Sequence, residues 1–400
     1  MKRYHWLMLF LITFMAGFFY TALEYLNLWN PISDGFKMLP WWSYILIFIV
    51  TFYVTLTVHE MTHFISFKLK GIKLRAIYLT VFVFYKTQTG WKFMINPKLW
   101  VLFGGLVVPD LDFIDSDEKY DKTVDAFAVS LLSAPLATII FALTVLIGFV
   151  ITLLFATNPL FLTIFFIFTI LTTLISLVYI KSFSLSTQNI FGDFVAYKKV
   201  KIDPIFQLAQ FIQYQKFSLN NDRFNPYLFD KVVNQLGKKQ KVSNQLLFLN
   251  LLINYFEGVN YYNQAVDQDV DLLTKTMSAR NLRKDEMGLM VAYELAIYKY
   301  HTGDVDKSYE IYKQIQKIKY HQIDEKLMTY QLKRFEHITH LAYHDDFLND
   351  KAHMYVDHLW LFDRIINPFS EIEVMHKKQK MQLYACKVVL REDELDREMI

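Results

Sequence analysis

The chain has 400 residues, with 42 Lys and Arg against 39 Asp and Glu, a formal charge of only +3, and 54% hydrophobic residues. No basic block of the kind that tracks phosphates is present, which excludes a nucleic-acid partner. The single cysteine, Cys386, excludes an intrachain disulfide framework and reads as an inert thiol in a reducing compartment.

Charge divides the chain. Residues 1–200 hold 15 basic and 11 acidic side chains, residues 201–400 hold 27 and 28. The first half therefore reads as membrane and the second as soluble.

The first apolar segment, Trp6–Leu26, follows Lys2 and Arg3. It is too long for a signal-peptide core and lacks a small-residue cleavage site, so it is predicted to be a retained span. A loop, Asn27–Pro40, leads to a second span over Trp41–Phe67. Inside that span stands His59-Glu60-Met61-Thr62-His63, after a stretch without charge from Met38 to Val58. Histidines at i and i+4 project from one helix face about one turn apart, so both imidazoles can reach one metal ion. A glutamate held beside them is the arrangement that activates a zinc-bound water in soluble zincins. Histidines that merely cap a membrane helix at the headgroups need neither this spacing nor the glutamate, and ionisable groups in hydrocarbon are a functional-site signal by default.

After span two, Ala76–Tyr85 and Trp91–Ile95 are rich in β-branched and aromatic residues around Lys86–Gly90, a β-hairpin pattern. It is either an interfacial hairpin or a substrate-facing edge strand. Gly104-Gly105 and Pro109-Asp110-Leu111-Asp112 mark a turn or re-entrant bend, in which Asp110 and Asp112 are weaker ligand candidates, since acidic loops are usually solvated. Span three covers Val124–Phe155 and span four Leu160–Ile180.

Lys68, Lys70, Lys73 and Arg75 follow span two, and Lys181, Lys198, Lys199 and Lys201 follow span four, whereas Asn27–Pro40 has only Lys37. The chain is thus predicted to be a multi-pass cell-membrane protein with both termini cytoplasmic. At 1.5 Å per residue the histidine pair lies roughly 7–14 Å inside the cytoplasmic boundary.

A catalytic zinc needs a third protein ligand from elsewhere in the chain. The best candidate is Asp193, the only acidic residue between Asp125 and Asp203. The polar run Ser182, Ser184, Ser186, Thr187, Gln188 and Asn189 breaks the apolar pattern just before it. Such a break at membrane depth has to be buried in protein or line a wet cavity.

Three elements in this order resemble the site-2 protease family of intramembrane zinc metalloproteases. They are His59-Glu60-x-x-His63 on a membrane helix, Ser133-Ala134-Pro135-Leu136-Ala137-Thr138 in the next span, and Asn189-x-x-x-Asp193 after the last. Ala134 stands where the family has glycine, and Thr138 where it has asparagine. The proline expected after Asn189 and the glycine expected after Asp193 are missing. The motifs cover Trp41–Lys199. The resemblance implies zinc held by His59, His63 and Asp193, with Glu60 activating the water. It also implies a transmembrane or membrane-inserted peptide substrate that unwinds before cleavage, held by Thr138, Asn189 and the edge of the 76–95 hairpin. A soluble PDZ-type insertion between spans is not evident.

Residues 203–400 read as helix after helix, with segments around Ala265, Ser308 and Ala352 spaced 43 and 44 residues apart. The period exceeds the 34 residues of a tetratricopeptide repeat, so a degenerate helical-hairpin solenoid or a plain helical bundle is predicted. The histidines of this half (301, 321, 337, 340, 344, 353, 358 and 376) never repeat the His-Glu-x-x-His spacing.

The reading is an all-α polytopic membrane protein with about four spans and a small membrane-associated β-hairpin. A membrane-embedded metalloprotease domain covers residues 1–202, and a cytoplasmic TPR-like domain for a protein partner covers 203–400. Its alternatives are a catalytically inactive, protease-derived adaptor or immunity protein with a structural metal site, and a membrane-anchored repeat scaffold.

Overall fold

The computed structural model describes residues 27–344 except 88, 98, 100–103, 188–190, 217, 219–223, 240, 322 and 324, together with residues 17, 21, 24 and 25. Most of the predicted first span, Asn189, Cys386 and the repeat position Ala352 lie outside the described residues, as does the sequence beyond 344.

Two compact units divide the chain: Met1–His63 with Leu131–Ser184, and Phe64–Ser130 with Leu185–Ile400.

The first unit contains α1 (Trp29–Met38), most of α2 (Trp41–Leu69), most of α3 (Asp117–Phe155) and α4 (Pro159–Phe183). α2, α3 and α4 are each long and apolar enough to cross a membrane. Their exposed positions include Ile45, Ile49, Ile140, Ile147 and Val178, as a lipid-facing surface requires. α4 starts where its sequence says it must: Asn158 accepts from the Phe161 amide at 3.1 Å and Pro159 occupies the first turn.

The segment between spans one and two, predicted as a loop, instead holds α1. Pro31 falls in its first turn, where an amide has no intrahelical partner to lose. Ile32 packs with Phe149, Leu153 and Leu162, and the Thr163 hydroxyl donates to the Ile32 carbonyl at 2.7 Å. Gly35 makes this approach possible, because a Cβ there would overlap the Thr163 side chain and the Pro159 carbonyl.

In the second unit the predicted hairpin is part of a four-stranded antiparallel sheet. Its strands β1 (Lys73–Leu79), β2 (Phe82–Thr87), β3 (Gly90–Ile95) and β4 (Gly105–Asp110) lie in the order β3-β2-β1-β4. The turn before Gly90 is where the sequence puts it. The run Ala76–Tyr85, however, breaks at Thr80, whose φ is +49°. The stretch predicted as a turn or re-entrant bend is strand β4, because Leu106, Val107 and Val108 pair with β1. Pro109 is tolerated opposite Leu74, next to a shift in register where the ladder is already irregular.

Helices α5 (Asp193–Ile202), α6 (Pro204–Lys216), α7 (Pro226–Gly237), α8 (Leu246–Tyr262), α9 (Gln268–Lys275), α10 (Glu286–His301), α11 (Val305–Lys317) and α12 (Glu325–Ile338) follow. Asn225, Asp267, Asp285 and Asp304 cap four of them. α8 and α10 form the buried centre of this half. The helices are not separate from the sheet. Ser218 donates to Asp110 at 2.7 Å, Asn225 to the Ile114 carbonyl at 2.9 Å, and Tyr120 packs edge-on to Phe211 at 5.1 Å.

A tetratricopeptide-like repeat is not confirmed. Ser308 lies within α11, bonded to the Ala296 carbonyl, whereas Ala265 lies in the connection between α8 and α9, so the two aligned positions are not equivalent.

Candidate metal centre

His59, Glu60 and His63 are 6%, 4% and 8% exposed on α2. The two imidazoles stand one turn apart, with centroids at 4.9 Å and planes at 89°. His59 is held on two sides. Its ring lies flat on Phe183, with 4.7 Å between centroids and 8° between planes, and its Nδ1 lies 3.0 Å from the Thr138 hydroxyl. That hydroxyl gives its own hydrogen to the Ala134 carbonyl at 3.1 Å, so it accepts from Nδ1–H. The ring is thereby fixed with its lone pair on Nε2, the form in which imidazole binds a metal.

Asp193 is the first residue of α5, after the Gly192 cap, where the helix amides favour a carboxylate. The chain before it is folded back on itself. Ser186 bridges to Phe191, and the Gly192 amide donates to the Leu185 carbonyl at 2.9 Å. Burial, then the negative charge of Asp193, pushes the nearby Tyr214 phenol above its usual range.

The ligand atoms of His59, His63 and Asp193 all lie within 4.8 Å of one another, the only such group of three found among the described residues. Two imidazoles and one carboxylate, with the imidazole proton of His59 assigned to the side away from the lone pair, fit a zinc ion that keeps a fourth position open. Glu60 is not one of the three ligands but stands next to the first of them, within electrostatic reach of the Tyr179 ring. Asp110 and Asp112 take no part: Asp110 is buried and bonded to Ser218, and Asp112 pairs with Lys73 at 3.3 Å.

Sequence reasoning misses the two aromatics of α4 that touch His59, Phe183 and Tyr179, the latter with its centroid at 6.3 Å. Aromatics in an apolar run read as lipid-facing, and only the packing distinguishes these.

The chain matches the family model of peptidase family M50 over residues 47–362. It belongs to that family. M50 is the site-2 protease family, and its members are zinc metalloproteases. Membership together with three membrane-length helices makes this a membrane protein of the metalloprotease type. The match runs well past Lys199, where the motifs end, and takes in the helices from α5 to α12. No curated protein and no solved structure matches the chain.

Proposed function

We propose that this M50 peptidase hydrolyses peptide bonds of membrane-spanning or membrane-inserted substrates at a zinc site held by His59, His63 and Asp193. The observation that carries the reading is the convergence of those three ligand atoms beside a buried carboxylate that is not itself a ligand. A purely structural metal site has no task for Glu60, which weighs against an inactive adaptor.

Zinc, when bound, supplies Lewis acidity that polarises the scissile carbonyl and makes water easier to deprotonate. Glu60 takes a proton from the attacking water and passes it to the leaving nitrogen as the C–N bond breaks, giving one carboxylate and one amine product. Thr138 acts as a positioning residue, holding His59 in the metal-binding tautomer. Asp193 offers its carboxylate from a helix N-terminus, where the aligned amide dipoles favour negative charge. The surrounding helices exclude bulk water, which strengthens each of these electrostatic effects.

The basic residues after α2 and α4 put the site nearer the cytoplasmic face, with both termini cytoplasmic. The helices after Asp203 select the substrate or bind a protein partner; they carry none of the three motif elements.

The test compares membrane peptides in cells carrying wild-type protein and Glu60→Gln. The variant keeps size and hydrogen bonding but cannot accept the proton, so it should retain zinc while uncleaved membrane peptides accumulate. An identical peptide profile in the two strains rejects the proposal.

A further inference from the structure

In hydrocarbon a hydroxyl without a partner is costly, and membrane helices usually satisfy theirs on the preceding turn. Thr51, Thr55, Thr138 and Thr169 each donate to the carbonyl four residues earlier, and Thr163 donates across to Ile32. Three hydroxyls of α4 depart from this habit. Thr172 and Ser176 are 0% and 2% exposed, and their oxygens, like that of Tyr179, have no hydrogen-bond partner among the described residues.

Positions 172, 176 and 179 fall on one helix face, and that face continues to Phe183. Phe183 is stacked on His59, and Tyr179 lies beside the same ring. The row of unsatisfied hydroxyls thus starts at the metal-ligating histidine and runs toward the N-terminal end of α4.

The spacing suits a peptide backbone. Four residues of helix rise about 6 Å and three about 4.5 Å, while an extended chain presents amides to one side about every 6.6 Å. A substrate helix that unwinds for cleavage exposes amides in need of partners. Its uncleaved remainder must continue into the membrane, away from the basic end of α4 at Lys181, which is the direction the row takes. Water for hydrolysis has the shorter route from that basic end.

We propose that Thr172, Ser176 and Tyr179 form a hydrogen-bonding track for the backbone of the unwound substrate next to the scissile bond. This rests on the metalloprotease reading above and adds to it the surface that holds the extended chain.

The test uses full-length, zinc-loaded protein in detergent and three probes measured by titration calorimetry. These are acetohydroxamate, which engages the metal alone, a hydroxamate with a three-residue leucine tail, and the same compound with N-methylated tail amides. In Thr172→Val/Ser176→Ala the tailed compound should bind about tenfold to hundredfold more weakly, the loss of two neutral hydrogen bonds, while zinc content and acetohydroxamate affinity stay as in wild type. N-methylation should weaken binding to wild type and have little further effect on the variant. Thr172→Ser/Ser176→Thr, which keeps both hydroxyls, should restore tail affinity. Equal tail affinity in wild type and the hydroxyl-free variant overturns the track. An N-methylation loss that is the same in both proteins also overturns it and points to water on these hydroxyls. Zinc-loaded wild type that fails to bind acetohydroxamate removes the metalloprotease reading and the track with it.

Discussion

At the scale of single residues, Thr138 separates the geometry of the ligands from their identity. Its hydroxyl accepts from His59 Nδ1 and donates to Ala134, so Thr138→Val should leave all three ligands in place yet lower zinc affinity by about tenfold to hundredfold. Competition with a chelator of known affinity measures this; Thr138→Ser should retain the affinity, and an unchanged value in Thr138→Val would exclude the positioning role. The sequence makes the histidine pair and Glu60 legible because their chemistry depends on spacing within one helix. Asp193 is legible by scarcity, as the only acid over a long apolar stretch. Tyr179 and Phe183 are not, because an aromatic on an apolar helix looks the same whether it meets lipid or an imidazole. Asn189 lies outside the described residues, and its suggested contact with substrate stays a proposal.

At the scale of elements, the long helices follow from apolar runs of bilayer length, but the short ones depend on contacts. α1 carries Pro31 and Gly35, which locally argue against a helix, and forms because Gly35 lets it settle on Thr163 and Pro159. Gly35→Leu should therefore lower the thermal unfolding midpoint, by a destabilisation of about 1–3 kcal/mol from overpacking, and an unchanged midpoint would show that this contact is dispensable. The sheet was half legible. The β-branched runs announce strands, but neither the break at Thr80 nor the pairing of β4 with β1 is written locally: the first needs a positive φ and the second a long-range partner. Asp110 illustrates the same limit, since a solvated loop acid and a buried acid bonded to Ser218 have identical local sequence. Ser218→Ala removes one donor from that buried carboxylate and should destabilise the second unit by about 1–3 kcal/mol in denaturant titrations.

At the scale of the whole molecule, charge density rises near residue 201, whereas packing gathers the sheet and the helices from α5 onward into one unit. Two polar contacts brace those helices. Arg334 and Glu294, both 0% exposed, pair at 2.5 Å, and Arg334→Met should cost about 3–5 kcal/mol because it removes the positive charge beside a buried carboxylate to which Asn260 and Tyr261 also donate. Burial raises the Asp271 carboxyl, but the bonds from Lys299 at 2.8 Å and Tyr298 at 3.0 Å outweigh it and hold the group below its ordinary range. Its folded pKa is depressed, so this contribution is fully present above the unfolded carboxyl value of about 3.9 and is lost as pH falls through the lower folded value. Helical unfolding midpoints should thus drop as pH falls through and below the ordinary carboxyl range, and Asp271→Asn, weaker at neutral pH, should show a shallower drop; equal slopes would rule this pair out as the cause. The hydrolytic metal centre is read out by the zinc content of purified full-length protein. Wild type and Glu60→Gln should each carry close to one zinc per chain, and His59→Ala/His63→Ala almost none; stoichiometric zinc surviving in that double variant would mean that the metal is held elsewhere and that this site is not a metal centre.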